Sequence, residues 1–350
     1  MLKYLLVLVA FSFILISCGD KNNDPEKTLT DKEKYSFDST DLKTDGIDDS
    51  GKPFLMEYKF KKGDKVVYRL TTISNNTQTI SMDTIITAGV SQKIIYLLDL
   101  VVKEVDEEGA TEAEITINSV KLEATANGET FNFEAGKDAD SVKTHQFAEF
   151  QSLYNNAFSV RFSKKGDILE VFKADKISNK FLELKGAADT ISTDDRNLIR
   201  KDLINGVLTP LITQIIRKVS DKEVYKDSSW QIQQAPVPLM VYQINYTNTY
   251  KLESVEKLDD NRVAIIEAGI DFKYSGQSTV NQGNVIYSFQ KPISTAEGKI
   301  YFDVDRGIQI KSRTKTKLEI SYTMEANTPQ GNQKGSRRDI ITNTNILELL

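Results

Sequence analysis

Cysteine, histidine and tryptophan each occur once in the 350 residues, and each shortage removes a class of chemistry. A lone cysteine, Cys18, leaves no intramolecular disulfide to staple an exported domain, so stability has to come from a hydrophobic core. It also leaves no thiolate set for zinc. With His145 as the one histidine, no histidine metal site and no paired-histidine chemistry can be built. A glycine-flanked serine elbow and a phosphate-cradling glycine-rich lysine loop are both missing. Carboxylates remain: Asp303 and Asp305 could share one strand face, the minimum for acid-base work or calcium. Acids at turns are far more often there for solubility and turn geometry, so the chain reads as a non-enzyme without cofactor or metal.

Blocks of one charge are missing as well. The net charge is -5, with acids and bases interspersed, and the densest basic pairs, Lys164-Lys165 and Arg337-Arg338, fall in expected turns. That excludes a nucleic-acid partner. Long apolar runs occur only at the start, from Tyr4 to Ile16, too short to cross a bilayer.

That run follows Lys3 and ends in Leu15-Ile16-Ser17-Cys18. A basic start and a short apolar core make a secretory signal, and its last four residues resemble a bacterial lipobox. The resemblance implies that residues 1–17 are a signal peptide, cleaved before Cys18, and that Cys18 carries diacylglycerol and a palmitate-like acyl chain. Each buried methylene adds about 0.8 kcal/mol, so several chains anchor the protein for good. The expected address is the bacterial cell envelope, at the outer membrane, with the membrane as a partner through the lipid. Asp20, Lys21 and Asp24 partly match a surface-export pattern, which leaves the periplasmic and surface faces both open. Residues 18–52 scatter single apolar side chains among charges and turn formers, and read as a disordered tether with a reach of about 30 Å.

The remainder alternates. Phe54 to Leu70 reads as two strands turned at Lys62-Gly63-Asp64. Ser91 to Val105 is long and apolar on both faces in its first half, as a central strand is. Ala113 to Ala126 alternates with a slip near Asn118 that a bulge would correct. Thr144 to Asn155 has the spacing of a short amphipathic helix, and Phe158 to Phe172 reads as a hairpin closed at Gly166. Pro236 and Pro238 place their segment at an edge or in a loop. Strand patterns then continue to Leu349, with Tyr242, Tyr246, Tyr250, Tyr274, Tyr287, Tyr301 and Tyr322 spread among them. Tyr96 to Gly128 resembles Tyr246 to Gly276 in length and layout. Each is followed by a glycine-turned hairpin, from Val160-Arg161-Phe162 and from Ile300-Tyr301-Phe302, as in an internal duplication.

Between the two halves lies the one long helical pattern, Ser192 to Val219. Its apolar residues, among them Ile204, Leu208, Leu211, Ile212, Ile215 and Ile216, recur every three or four positions. Pro210 interrupts it, and proline inside a helix costs about 3 kcal/mol. Two helices are therefore expected, the first capped by Ser192 or Thr193 with Asp195 completing the box, the second starting at Thr209-Pro210; a kinked single helix is the alternative.

The lipobox, the tether, the FKKGDKVVYR stretch, the unit FAEFQSLYNNAFSVRFSKKGDILEV and the DSSW strand start together resemble the bacterial lipoproteins grouped as domain-of-unknown-function family 6263. That family implies no activity, so no site residue follows from it. Antiparallel strands curled around helices also resemble the open barrels of lipoprotein carriers, by fold analogy alone. The expected fold is mainly β, in the α+β class: curved antiparallel sheets in two related halves, 53–183 and 222–350, joined by a helical connector, 184–221. The expected function is a non-enzymatic binding module for an apolar or amphipathic ligand. The ligand would sit between a concave sheet face and the helices, against Ile204, Leu208, Leu211, Ile215, Tyr246 and Tyr250. The alternative is an envelope scaffold whose partners are proteins. Three triplets, Asp83-Thr84-Ile85, Asp140-Ser141-Val142 and Asp189-Thr190-Ile191, resemble the acceptor sites of a bacterial O-glycosylation system.

Overall fold

The computed structural model describes residues 36–47, 51–138, 140–328 and 331–350. The expected signal peptide and Cys18, with the lipid expected on it, lie outside the described residues. Within them, sixteen strands form one antiparallel sheet. They are β1 (Asp45–Gly46), β2 (Lys65–Ser81), β3 (Ile85–Val105), β4 (Thr111–Ala126), β5 (Glu129–Glu134), β6 (Phe158–Phe162), β7 (Ile168–Phe172) and β8 (Ser229–Gln233), then β9 (Val237–Leu239), β10 (Tyr242–Leu258), β11 (Asn261–Gly276), β12 (Thr279–Gln282), β13 (Val285–Phe289), β14 (Ile293–Asp303), β15 (Ile308–Thr328) and β16 (Gly331–Leu349). The helices are α1 (Ser141–Gln146), α2 (Ala148–Leu153), α3 (Asp175–Leu184), α4 (Thr193–Leu203) and α5 (Thr209–Ile215).

The spatial order is β10-β11-β14-β15-β16-β2-β3-β4-β6-β7, with β1, β8 and β9 on the outer side of β10. The mainly β, curved-sheet expectation holds, and the two halves are related. In one, β3-β4-β6-β7 are neighbours in that order; in the other, β10-β11-β14-β15 repeat it. The register slips at Arg161/Phe162 in the first hairpin and at Tyr301/Phe302 in the second, the positions that the sequence comparison aligns. Between the matching hairpins the first half inserts β5, α1 and α2, and the second inserts β12 and β13. The halves are not separate lobes: β16 pairs with β2 from Ser336↔Ser81 to Leu349↔Tyr68. The slip expected near Asn118 is also present, because Leu97 faces Ser119 and Leu98 faces Ile117.

Cross-strand partners share a face, so Leu347, Leu70, Tyr96 and Val120 line one inner face. The helices fill it. Leu208, Ile212, Ile215 and Ile216 of the helical block are buried in one cluster with Tyr68, Leu70, Leu98, Leu252 and Ile266.

Three expectations are corrected. The helical block is one helix, not two: a π-helical turn, Ile204–Leu208, joins α4 to α5, and Leu203, Leu208 and Thr209 all keep helical angles. The wider turn lets the Thr209 N–H reach the Ile204 carbonyl and relieves the crowding that Pro210 would create in a tight α turn. At the other end Ser192 is the cap, its Oγ accepting from the Asp195 N–H at 3.1 Å. Second, Phe54 to Phe60 is no partner strand of β2. Met56, Tyr58 and Phe60 are buried as its alternation requires, but Phe54 bridges to Val224 and the later backbone bonds go to two hairpin turns: Tyr58 N–H to the Lys164 carbonyl at 2.8 Å and Lys59 N–H to that of Gly307 at 3.2 Å. Third, the tether does not run free to residue 52. Residues 36–47 cross the outer face, where Lys311 donates to Asp38 at 2.9 Å, Lys299 to Asp41 at 3.3 Å, and Asp45–Gly46 pair with the edge of β10. Scattered acids and single apolar residues cannot make a core of their own, yet they complement a row of lysines on a sheet that already exists.

Candidate ligand-binding cleft

The two ends of the curved sheet, β7 and the β8-β10 edge, leave a gap, and the end of α5 spans it. The chain crosses by backbone bonds: Val219 N–H to Lys165 O at 2.9 Å on one side, and Asp227 N–H to Leu252 O at 2.8 Å on the other. Above this crossing lies a cleft of about 540 Å³, within the usual range for a small-molecule site. Its walls are Gly166–Ile168, Thr213, Gln214, Ile216 to Lys218, Ile232 to Gln234, and the inner-face residues Tyr246, Asn248 and Tyr250.

Of the residues expected to bind ligand, the structure brings only Tyr246 and Tyr250 to this cleft. Leu208, Leu211 and Ile215 are packed in the core, and Ile204 is half-buried against it. The wide apolar helix face is core, which corrects the expectation that it lines a cavity. Periodicity marks a face to be covered; it does not say whether protein or ligand covers it. Asp303 and Asp305 likewise have structural duties. Asp303 accepts from the Asp305 and Arg306 N–H groups and from Asn261, and Asp305 holds the Arg262 guanidinium at 2.8 Å. His145 sits at the surface, its Nδ1 2.9 Å from the Leu184 carbonyl, tying α1 to the end of α3.

Arg217 is the residue that pattern reading passed over, since a cation just beyond a helix C-terminus is an ordinary complement to the helix dipole. Its backbone is locked by Tyr58, whose hydroxyl donates to the Arg217 carbonyl at 3.0 Å and accepts from its N–H at 2.9 Å. Its guanidinium donates to Gln214 at 2.6 Å and stands close enough to the Tyr250 hydroxyl for each to shift the other's ionisation. Burial draws its pKa below the ordinary arginine value and lifts that of Tyr250. Next to it, Lys218 pairs with Asp167 at 2.7 Å, which raises the lysine pKa and uses up the cleft's carboxylate. Trp230 stacks on Tyr250 with ring centres 5.4 Å apart, so the one tryptophan stands beside the cleft wall.

From the cleft the inner face continues as a trough with a low floor. Ala268, Ala296, Thr314 and Thr316 border a hollow of about 50 Å³ together with Arg217, Asn248, Tyr250 and Ile270. Beyond it lie half-buried Phe272 and Tyr274, stacked at 6.4 Å, and the cluster Tyr287, Phe289 and Tyr322.

Comparison with known proteins gives a family and distant likenesses. A family model described as a family of unknown function, DUF6263, matches residues 108–309. No curated protein matches the chain. Among solved structures, one of lipovitellin, described by its lipid-protein interactions, is similar at 10% identity and TM-score 0.41, covering 83% of this chain and 25% of its own. An outer membrane channel from Pseudomonas putida F1 is similar at 7% identity and TM-score 0.19, over 84% of this chain and 98% of its own. A DUF1329 family protein from Desulfovibrio piger is similar at 9% identity and TM-score 0.13, over 78% and 83%. The chain thus spans about a quarter of the lipovitellin chain it matches, and scores at this level carry no argument about function.

Proposed function

We propose that this chain, which belongs to the family of unknown function DUF6263, is a non-enzymatic binding module for an apolar or amphipathic ligand, held at the envelope by the lipid expected on Cys18. The observation that carries the reading is the seam cleft and the trough that continues from it. Together they form a hollow of ligand size, with polar groups at one end and half-buried aromatic side chains at the other. Ligand sites combine such an apolar wall with a few placed polar groups. The buried helix face moves the site from beneath the helical block to its end.

The test uses the full chain purified in mild detergent. Native mass spectrometry should show a small apolar species retained on the protein, and palmitate should change the fluorescence of Trp230. No retained species and no fluorescence response would sink the reading. The rival, a protein-binding envelope scaffold, draws on the β2-β3 tip, where Met82, Ile85 and Ile86 are exposed; crosslinking in native membranes that captured one defined protein through that tip would favour it.

A further inference from the structure

A half-buried guanidinium among neutral partners is an unanswered charge. Among the described residues no carboxylate pairs with Arg217: its guanidinium donates to the Gln214 amide oxygen at 2.6 Å, and its Nε is shielded from solvent with no acceptor. Asp167, the one acid lining the cleft, is held by Lys218. Arginine stays protonated and offers five donors, and a charge taken out of water without a counter-charge is costly. The helix C-terminus before it supplies only a partial compensating dipole. The guanidinium also stands where the cleft meets the hollow, since Arg217 lines both, and the low floor of Ala268, Ala296, Thr314 and Thr316 leaves room on the inner face in front of it.

We infer that Arg217 receives the oxyanion head, a carboxylate or a phosphate monoester, of a single-chain amphipathic ligand whose apolar chain runs along the inner face past Ile270 and Phe272. The planar donor fork suits either head group. This rests on the binding reading above and sharpens it to the charge and shape of the ligand. Nothing on the protein is covalently changed; the ligand's negative charge replaces the missing counter-ion.

The experiment measures binding to the full chain, by Trp230 fluorescence and calorimetry, of palmitate, its methyl ester, hexadecyl phosphate and inorganic phosphate. Palmitate and hexadecyl phosphate should bind about tenfold or more tighter than the ester, the scale of one charge-assisted hydrogen-bonded contact. Arg217→Met should abolish that preference while leaving the ester's affinity unchanged, and Arg217→Lys should keep part of it. An arginine serving only the fold would lower the unliganded melting temperature when replaced and leave the acid-to-ester ratio alone. Here unliganded Arg217→Met should melt no lower than the parent, because a buried unpaired charge is removed. If that variant does not fold, the ratio in Arg217→Lys decides: an unchanged ratio counts against the inference and a reduced one supports it. Equal binding of acid and ester by the parent would overturn the role of Arg217 and leave the binding reading standing. Inorganic phosphate binding as tightly as hexadecyl phosphate would overturn the amphipathic ligand in favour of a free anion. No binding of any probe would overturn the binding reading and this inference with it.

Discussion

Tyr58 concentrates the residue-scale logic. Its ring lies edge-on to Phe162 at 5.9 Å and to Phe302 at 5.4 Å, the two residues that occupy equivalent bulge positions in the related halves. Its hydroxyl then bridges the N–H and carbonyl of Arg217, so one side chain joins both halves and sets the backbone of the cleft cation. Burial pushes the phenols of Tyr58, Tyr68 and Tyr96 well above the ordinary tyrosine value. A folded-state pKa above the unfolded one, about 10, gives stability that is fully present below that pH and is lost as pH rises beyond it. Alkaline titration followed by phenolate absorbance should therefore show these three ionising only as the protein unfolds, while exposed tyrosines titrate reversibly. Complete reversible titration of every tyrosine in folded protein would contradict this. The alternation of Met56, Tyr58 and Phe60 made their burial legible in sequence; the partners of the hydroxyl were not, because they lie 159 positions away.

At the scale of elements, the two glycine-turned hairpins are the clearest case of sequence legibility. Gly166 and Gly307 both take positive φ, +83° and +65°, as tight turns require. What sequence did not reveal is why nothing larger fits. A Cβ on Gly307 would lie 2.6 Å from the Glu57 carbonyl oxygen, and one on Gly166 2.4 Å from that of Arg217. Each turn is a socket for a segment far along the chain. Gly307→Ala should cost about 2 to 4 kcal/mol, combining left-handed strain with overpacking. Gly63→Ala, at φ +92° with open space around its Cβ, should cost only the strain, about 1 to 2 kcal/mol. Urea unfolding of the two variants checks the difference; equal losses would mean that the socket contact is slack. The helical block teaches the converse. Its cap at Ser192 was readable because capping is local, whereas the π turn that absorbs Pro210 depends on how the whole helix is held against the sheet.

For the whole molecule, the sheet's continuity through β16 and β2 decides the energetics. Both halves and the helices contribute to one buried cluster, so neither half retains its own core when the other opens. Thermal unfolding of the chain should be a single transition, with calorimetric and van't Hoff enthalpies in agreement. Two resolved transitions, each assignable to one half by hydrogen exchange, would show that the halves fold independently.

By itself the sequence determined most of the strands, their bulge near Asn118, the likeness of the two halves, the Ser192 cap and the inventory of chemistry that is missing, because period, turn chemistry and residue counts are local or global properties of a string. Only the tertiary structure decided what the apolar helix face meets, where the strap of residues 36–47 docks, and that the two sheet ends leave a gap. Those outcomes depend on which of several chemically equivalent surfaces come together. Arg217 shows the difference: in the sequence it is a common cation after a helix, and only the cleft around it leaves that charge without an answer.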